Sequence, residues 1–205
     1  MVREEAAQDD REPAPVLTGV RDARVVALVE GVSDQVAVER LALRRGRDLA
    51  GEGVLVLPMG GATNVGHHLR ALGRWGVPAS GLLDIGEERF VRRGLASAGL
   101  GVPVTRSDLA RAGFFFCVAD LEDELIRALG AAATEEVLAA NGDLALFRRF
   151  QRQPAQRVRP VVNQLHRFLG TTTGRKARYA GLLVEHLDLN RVPDPLDALL
   201  RHVTA

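Results

Sequence analysis

The stretch Val25–Asp34, VVALVEGVSD, decides how the rest of the chain is interpreted. Its first five residues form an apolar run, typical of a strand that is buried on both faces. The run ends on a carboxylate, Glu30, which is followed by Gly31 and, three residues later, by Asp34. A buried strand gains nothing from a charge at its end, whereas ligands gather outside the carboxyl ends of parallel strands. The stretch therefore predicts a functional site at the end of a strand.

The composition is ordinary for a soluble globular protein: of 205 residues, 46% are hydrophobic and 26% are charged. No apolar run reaches the ~20 residues that a membrane-spanning helix needs, and the N-terminal sequence lacks the apolar stretch of a signal peptide. The one cysteine, Cys117, cannot form an internal disulfide and is expected to be a small core residue. We therefore expect a cytoplasmic protein without membrane contacts.

The net charge of +1 conceals two oppositely charged segments. Residues 120–143 contain seven acidic residues and one basic residue, whereas residues 148–178 contain nine basic residues and no acidic one. An acidic region attracts cations, and a basic surface binds polyanions such as nucleic acid. A pair of solvated helix faces would produce the same counts, so charge alone leaves both interpretations open.

Strand and helix patterns alternate over the first 130 residues. The predicted strands are Val25–Glu30, Gly53–Met59, Ala79–Ile85 and Gly113–Val118. The predicted helices are Ser33–Arg45, with Ser33 as N-cap, Thr63–Trp75, Glu87–Ala98 and a helix from Leu121. This alternation predicts an α/β fold with a parallel four-stranded sheet that is flanked by helices on both faces.

The chain is predicted to have three parts. Residues 1–20 are polar and rich in proline and alanine, which predicts a flexible N-terminal arm. Residues 21–130 would form the α/β domain, and residues 131–205 a helical C-terminal extension that carries the basic stretch and Lys176. The helices predicted in this extension are Thr134–Ala140, Asp143–Arg152, Pro160–Leu169, Gly174–Leu187 and Pro195–Val203.

Acidic residues follow three of the four predicted strands. Glu30 ends the first strand, Asp84 lies at the end of the third, and Asp120 and Glu122 follow the fourth. In a parallel sheet these side chains would share one edge and repel one another, unless a hard divalent cation such as Mg2+ or Mn2+ bound between them. Each acid alone could instead stabilise the start of a helix. The repetition at successive strands favours the metal site, which Asp34 could join from the following helix.

Glycines follow the first two strands. Gly31 is expected to let the backbone turn sharply beside Glu30 and to leave room for a phosphate, and Gly60 and Gly61 close the second strand. A sensor for a phosphorylated small molecule, which uses Gly60, Gly61 and the acidic edge with Mg2+, is one interpretation that the residues leave open.

Five motifs together resemble a known family. In chain order they are VEGVSD (29–34), MGGATNV (59–65), GLLDIGEE (81–88), DLEDEL (120–125) and GRKARYAGLL (174–183). This order resembles the Toprim domain, and most closely the Toprim half of the overcoming-lysogenization-defect nucleases and small stand-alone actinobacterial Toprim proteins. The resemblance covers roughly residues 24–187.

The resemblance implies a compact parallel α/β domain that binds Mg2+ or Mn2+ and hydrolyses phosphodiester bonds in DNA. It implies that Glu30, Asp34, Asp84 and Glu122 are metal ligands, and that Glu30 and Lys176 are catalytic. Lys176 is also the only lysine in the chain, whereas the other 26 Lys or Arg residues are arginine. This bias indicates that its compact ammonium group has a chemical role. The implied activity is that of a metal-dependent, endonuclease-type hydrolase.

The chain departs from the family at one position. Toprim domains usually carry Asp-x-Asp on the third strand, and here Gly86 stands at the second aspartate. Glu87 could replace it from the first helical turn, and Asp120 and Glu124 are further candidate ligands. The departure keeps a second interpretation open: a catalytically degenerate Toprim module that binds metal and nucleic acid, or docks on a separate ATPase chain. The sequence itself has no P-loop motif.

Basic and glycine positions supply candidates for contacts to phosphates. They are Gly31, Gly60, Gly61, Arg148, Arg149, Arg152, Arg157, Arg159 and Arg175. Arginines in this number would hold a nucleic-acid backbone without reading its sequence. Aromatic residues in this arginine-rich segment are too sparse to form a stacking platform for several bases.

Overall fold

The computed structural model describes residues 19–172 and 174–205. In this part of the chain the strands are β1 (Val25–Val29), β2 (Val54–Pro58), β3 (Ala79–Asp84) and β4 (Phe114–Cys117). All neighbouring strands pair in parallel, in the order β2-β1-β3-β4. The predicted parallel four-stranded sheet is thus confirmed. The predicted flexible arm, residues 1–20, lies outside the described residues except for its last two.

Helices follow or separate the strands and fill the second half of the chain. The first five are α1 (Val32–Arg44), α2 (Val65–Trp75), α3 (Glu88–Ser97), α4 (Arg106–Arg111) and α5 (Leu121–Leu129). The next six are α6 (Ala131–Ala140), α7 (Leu144–Gln151), α8 (Pro154–Arg157), α9 (Val161–Leu169), α10 (Arg175–His186) and α11 (Asp194–Val203). Short 3-10 turns lie at Ala62–Asn64 and Ile85–Glu87. None of the described helices could span a membrane.

The sequence patterns missed two helices, α4 and α8. They contain six and four residues, too few for a 3.6-residue periodicity to show in the apolar positions. The other predicted helices and all four strands are present with ends shifted by a few residues.

Strand β1 is buried over its whole length because both faces of the sheet are covered. Ala27 and Val29 point into one hydrophobic core, which α1, α5 and the C-terminal helices share. Val26 and Leu28 point into the other, which is closed by α2, α3 and α4. The alternation of side chains along a strand therefore explains why the sequence of β1 is apolar without interruption.

The C-terminal helices pack back onto the α/β half. Helix α10 lies against α1, and α11 lies against β3 and β4. Arg44 Nη1 donates to the carbonyl oxygens of Val184 and Leu187 at 2.7 and 2.6 Å. At the end of the chain, Arg24 Nη2 donates to the Val203 oxygen at 2.5 Å and Arg47 Nη2 to the Thr204 oxygen at 2.8 Å. The segment predicted as an extension thus shares a core with the sheet.

The start of α1 differs from the prediction. The helix begins at Val32 with Gly31 as N-cap, so Ser33 is not the cap but lies inside the first turn. The reason is Asp34, whose Oδ2 accepts the Gly31 N–H at 2.9 Å and so fixes the start of the helix two residues earlier. Gly31 itself is extended at φ −145° and ψ −179°, a conformation open to any residue, so the sharp turn expected there is absent.

Glycine is required for close packing between α2 and α3. A Cβ at Gly94 would lie 3.1 Å from both Gly66 Cα and Leu69 Cδ1, whereas a Cβ at the exposed Gly73 would meet no atom within 4 Å. We expect Gly94→Val to lower the free energy of unfolding by about 1–3 kcal/mol through overpacking. The matched Gly73→Val should change it by less than about 0.5 kcal/mol. Urea denaturation of both variants measures the difference, and equal effects would contradict the close approach of the two helices.

Candidate functional site

Glu30 and Asp84 meet at the carboxyl edge of the sheet. The register of β1 and β3 pairs Val29 with Leu82, so the two acids leave neighbouring strands at nearly the same level. The Asp84 N–H donates to Glu30 Oε1 at 2.7 Å. Glu87 hydrogen-bonds the Glu30 side chain from the 3-10 turn that follows β3. Glu87 therefore reaches the edge that Gly86, without a side chain, does not.

Asp34 lies at the same edge, buried in the first turn of α1. Its carboxylate lies within the electrostatic reach of Glu122, Lys176 and Glu30. A small cavity of about 10 Å3 opens between Glu30, Asp34 and Asp84. That is about the space of one water molecule, and hence of one small ion.

The pKa values of the three carboxyl groups around this cavity lie far above their ordinary range. Burial raises the pKa of Asp84 to about 8, and the negative charges of Glu30 and Asp120 add to the effect. Burial also raises the pKa of Glu30 to about 7, together with its hydrogen bond to Glu87. For Asp34, burial and then the charge of Glu122 raise the pKa to about 7. The edge is therefore short of positive charge, which a hard cation would supply.

Glu122 has the most enclosed carboxylate of the site. The residue is 1% exposed, and its Oε1 accepts no hydrogen bond from any described residue. Its ion-pair partner is Lys176, whose Nζ lies 3.0 Å from Oε2. Burial opposes the charge of Lys176, but the attraction of Glu122 outweighs it and raises the lysine pKa. Oxygen donors buried without a hydrogen bond are the kind that a hard cation binds, so the residues fit a divalent metal.

Asp120 caps α5 and binds a histidine that the sequence analysis did not consider. Its Oδ1 accepts the Asp123 N–H at 2.8 Å, and its Oδ2 lies 2.6 Å from His166 Nε2. Burial acts to raise the pKa of Asp120, but the bonds from His166 and Asp123 outweigh it and lower the pKa. The bond to Asp120 in turn raises the pKa of His166. Forty-six residues separate the pair, and no spacing motif links them.

Glu124, the remaining acidic candidate, is occupied elsewhere. Its Oε1 accepts the Val118 N–H at 3.0 Å and lies 3.1 Å from Arg127 Nη2.

Cys117 is buried beside the edge, and burial raises the pKa of its thiol, as expected for an inert core residue.

The acidic side chains lie within electrostatic reach of one another, but in the described part of the chain they do not form a preformed metal-binding site. Among residues 19–172 and 174–205, no three His, Cys, Asp or Glu side chains are arranged to hold an ion. The reason is that each acid has another partner: Glu30 binds the Asp84 N–H, Asp34 the Gly31 N–H, and Glu122 the Lys176 ammonium. A cation at this edge would have to displace some of these contacts.

The glycine loop after β2 lies beside Glu30. The Gly61 N–H donates to the Glu30 backbone oxygen at 3.1 Å. Gly60 and Gly61 have φ values of 70° and 116°, which only glycine adopts without strain, and a Cβ at Gly61 would meet no atom within 4 Å. The loop therefore leaves open space next to the acidic edge, as a bound phosphate would require.

The six candidate arginines fall into two groups. Arg148 pairs with both oxygens of Glu135, at 2.9 and 2.6 Å, and the half-buried Arg175 bonds Thr171 and stacks over Phe168. The other four are exposed, and their terminal guanidinium nitrogens have no partner among the described residues: Arg149, Arg152, Arg157 and Arg159. These four remain available for a phosphate backbone.

Comparisons with known proteins agree with this geometry. Residues 23–85 match the family model "Overcoming lysogenization defect protein-like, TOPRIM domain". Among curated proteins, none matches the sequence. The protein therefore has a Toprim-type α/β fold. More particularly, it resembles the Toprim domain of overcoming-lysogenization-defect (OLD) proteins.

Solved structures extend the likeness over most of the chain. The C-terminal region of the Xanthomonas campestris pv. campestris OLD protein, phased with platinum, has 22% identity and a TM-score of 0.70, covering 91% of this chain and 94% of that one. The C-terminal region of the Burkholderia pseudomallei OLD protein has 20% identity and a TM-score of 0.61, covering 88% and 96%. At these identities the likeness establishes the fold, including the helical second half.

The raised pKa values predict how stability depends on pH. In the unfolded chain the three carboxyl groups titrate near 4, so between about pH 4 and 8 the folded protein binds more protons. In EDTA the Tm should therefore fall from pH 5 to pH 8. Asp84→Asn should flatten this slope and raise the Tm at pH 8 by about 2–4 °C.

Asp194 is an exposed acid on α11, so Asp194→Asn is the control and should keep the wild-type slope of Tm against pH. Added MgCl2 at pH 8 should raise the Tm of the wild type more than that of Asp84→Asn. An unchanged slope in Asp84→Asn, measured by differential scanning fluorimetry, would contradict the description of the edge.

Proposed function

We propose that the protein is a divalent-metal-dependent nuclease that hydrolyses phosphodiester bonds in DNA. The observation that carries the proposal is the contact of Lys176 with Glu122 at the acidic edge. The chain's one lysine, from the start of α10, lies 3.0 Å from a buried carboxylate on α5 and in the field of Asp34 and Glu30. Such an arrangement of one ammonium and several carboxylates suits chemistry on a phosphate better than it suits stability.

The residues divide into ligands and a phosphate-binding cation. Glu30, Asp34 and Asp84 would hold one Mg2+ or Mn2+, and Glu122 with Asp120 would hold another. Bound metal would supply a Lewis acid for the phosphodiester oxygens. Lys176 would contribute positive charge that stabilises the phosphate as its negative charge grows in the transition state. Glu87, hydrogen-bonded to Glu30, would replace the aspartate that is missing at Gly86.

The substrate would approach over the basic helices α7 and α8. Arg149 on α7, Arg152 at its C-cap, and Arg157 and Arg159 around α8 present terminal guanidinium nitrogens without a partner among the described residues. Helix α9, which packs on α7 and contacts Asp120 through His166, connects this surface to the acidic edge. Contacts of this kind hold the nucleic-acid backbone without reading its sequence.

Cleavage of supercoiled plasmid tests the proposal. Purified protein with Mg2+ or Mn2+ should convert the plasmid to nicked or linear forms, and EDTA should stop the reaction. Glu30→Gln and Lys176→Met should each lower the rate by at least about 100-fold, as expected when a charged catalytic group is lost. The exposed Glu136→Gln on α6 should keep the wild-type rate. Nicking that survives both active-site substitutions would arise from a contaminating nuclease and would refute the assignment.

A second candidate function is a catalytically degenerate Toprim module. Two observations favour it: Gly86 at the expected second aspartate, and the absence of a preformed cage of three ligands in the described part of the chain. Such a module would bind metal and DNA, or dock on a separate ATPase chain, without cutting. Metal-dependent thermal stabilisation and salt-sensitive DNA binding in the absence of any cleavage would select it.

Neighbouring arginines on α7 test the DNA surface. Arg149 has no partner among the described residues, whereas Arg148 is held by Glu135. Arg149→Ala should therefore reduce the slope of log K against log salt concentration by about 0.9, the value for one lost phosphate contact. Arg148→Ala should reduce it by less than half as much. Fluorescence anisotropy with a labelled duplex in EDTA measures both, and an equal or reversed order would contradict the proposed surface.

A further inference from the structure

A larger concavity, about 430 Å3 in volume, adjoins the acidic edge. Its lining includes Asp120, Glu122 and Lys176, which belong to the acidic edge, and the apolar Phe150 and Leu169. Its size is at the lower end of the range for small-ligand pockets and suits one nucleotide rather than a longer segment. The buried Glu122, whose Oε2 lies 3.0 Å from Lys176 Nζ, is among the lining residues.

The cationic groups of this pocket differ from those of the α7–α8 surface. Besides Lys176, it is lined by His166 and by Arg167, whose exposed side chain has no hydrogen bond or ion pair with a described residue. The ring of Phe150 is half-buried, with its centroid 5.6 Å from that of Phe168. The lining thus combines cationic groups with an aromatic ring, which match the two parts of a nucleotide, its phosphate and its base.

We propose that this pocket holds one unpaired nucleotide of a DNA strand, next to the phosphodiester at the acidic edge. The phosphate lies towards Lys176 and Arg167, and the base lies against Phe150. This inference rests on the proposed function, because it takes the edge as the place where the strand is cut. A base within a duplex is stacked on both faces and cannot enter, so the protein prefers unpaired strands or opened duplex ends.

Binding in EDTA tests the inference without cleavage. We expect the wild type to bind a labelled 20-nucleotide thymidine strand about tenfold more tightly than a blunt 20-base-pair duplex, since stacking of one base accounts for a factor of that order. Phe150→Leu keeps an apolar side chain but removes the ring. It should weaken strand binding about fivefold and leave duplex binding within about twofold. Phe90 is a half-buried phenylalanine on α3 that packs against the opposite core. Phe90→Leu is therefore the matched control and should bind the strand and the duplex as the wild type does.

An exposed residue gives a second variant that does not risk the fold. Arg167→Gln should weaken strand binding about threefold, one lost phosphate contact, and leave duplex binding unchanged, whereas Arg93→Gln on α3 should alter neither. Equal strand binding by wild type and both pocket variants would overturn the inference, as would tighter binding of the duplex. Competition by free thymidine monophosphate at the concentrations that suffice for the strand would also overturn it, in favour of a small-molecule site.

The two proposals fail separately. If the wild type does not cleave plasmid but still prefers unpaired strands in a way that depends on Phe150, the proposed nuclease activity is refuted and the proposed nucleotide pocket stands. Cleavage that depends on Glu30 and Lys176, without any preference for unpaired strands, would refute the pocket alone.

Discussion

The organisation of this protein depends on negative charge that is concentrated at one buried edge. Glu30, Asp34, Asp84 and Glu122 come from three strand–helix junctions, and burial makes ionisation costly, which raises the pKa values of Glu30, Asp34 and Asp84. The fold meets this cost in part with Lys176, and in part by protons that the carboxyl groups retain near neutral pH. A cluster of this kind is unfavourable for stability alone, which is why a cation and a phosphate substrate account for it better than packing does.

The parallel sheet makes that concentration possible. Parallel register brings the ends of β1, β3 and β4 to one side, and the loops that follow them carry the acids. The helical second half then completes the site, since α9 contributes His166 and α10 contributes Lys176. The two halves also share a hydrophobic core, so the geometry of the edge and the stability of the protein depend on the same contacts.

Much of this could be predicted from the sequence because its signals are local. Apolar runs and the acids after them predict the strands and the shared edge, and the motif order predicts the Toprim fold. Contacts between distant segments could not be predicted in this way. The bond of His166 to Asp120 spans 46 residues without a motif, and the pairing of Arg148 with Glu135 removes a cation that composition had counted as free. The cap of α1 was misassigned because Ser33 is a common capping residue, whereas the helix begins at Val32 with Gly31 as N-cap, and Asp34 bonds back to the Gly31 N–H from the first turn.

The attachment of the C-terminus by Arg24 and Arg47 has a practical consequence. Arg24 directly precedes β1, so Val203 and Thr204 end beside the amino-terminal side of the sheet, remote from the carboxyl edge. A reporter protein or an affinity handle joined after Ala205 would project from the back of the molecule. Immobilisation through that end would leave the acidic edge facing the solution.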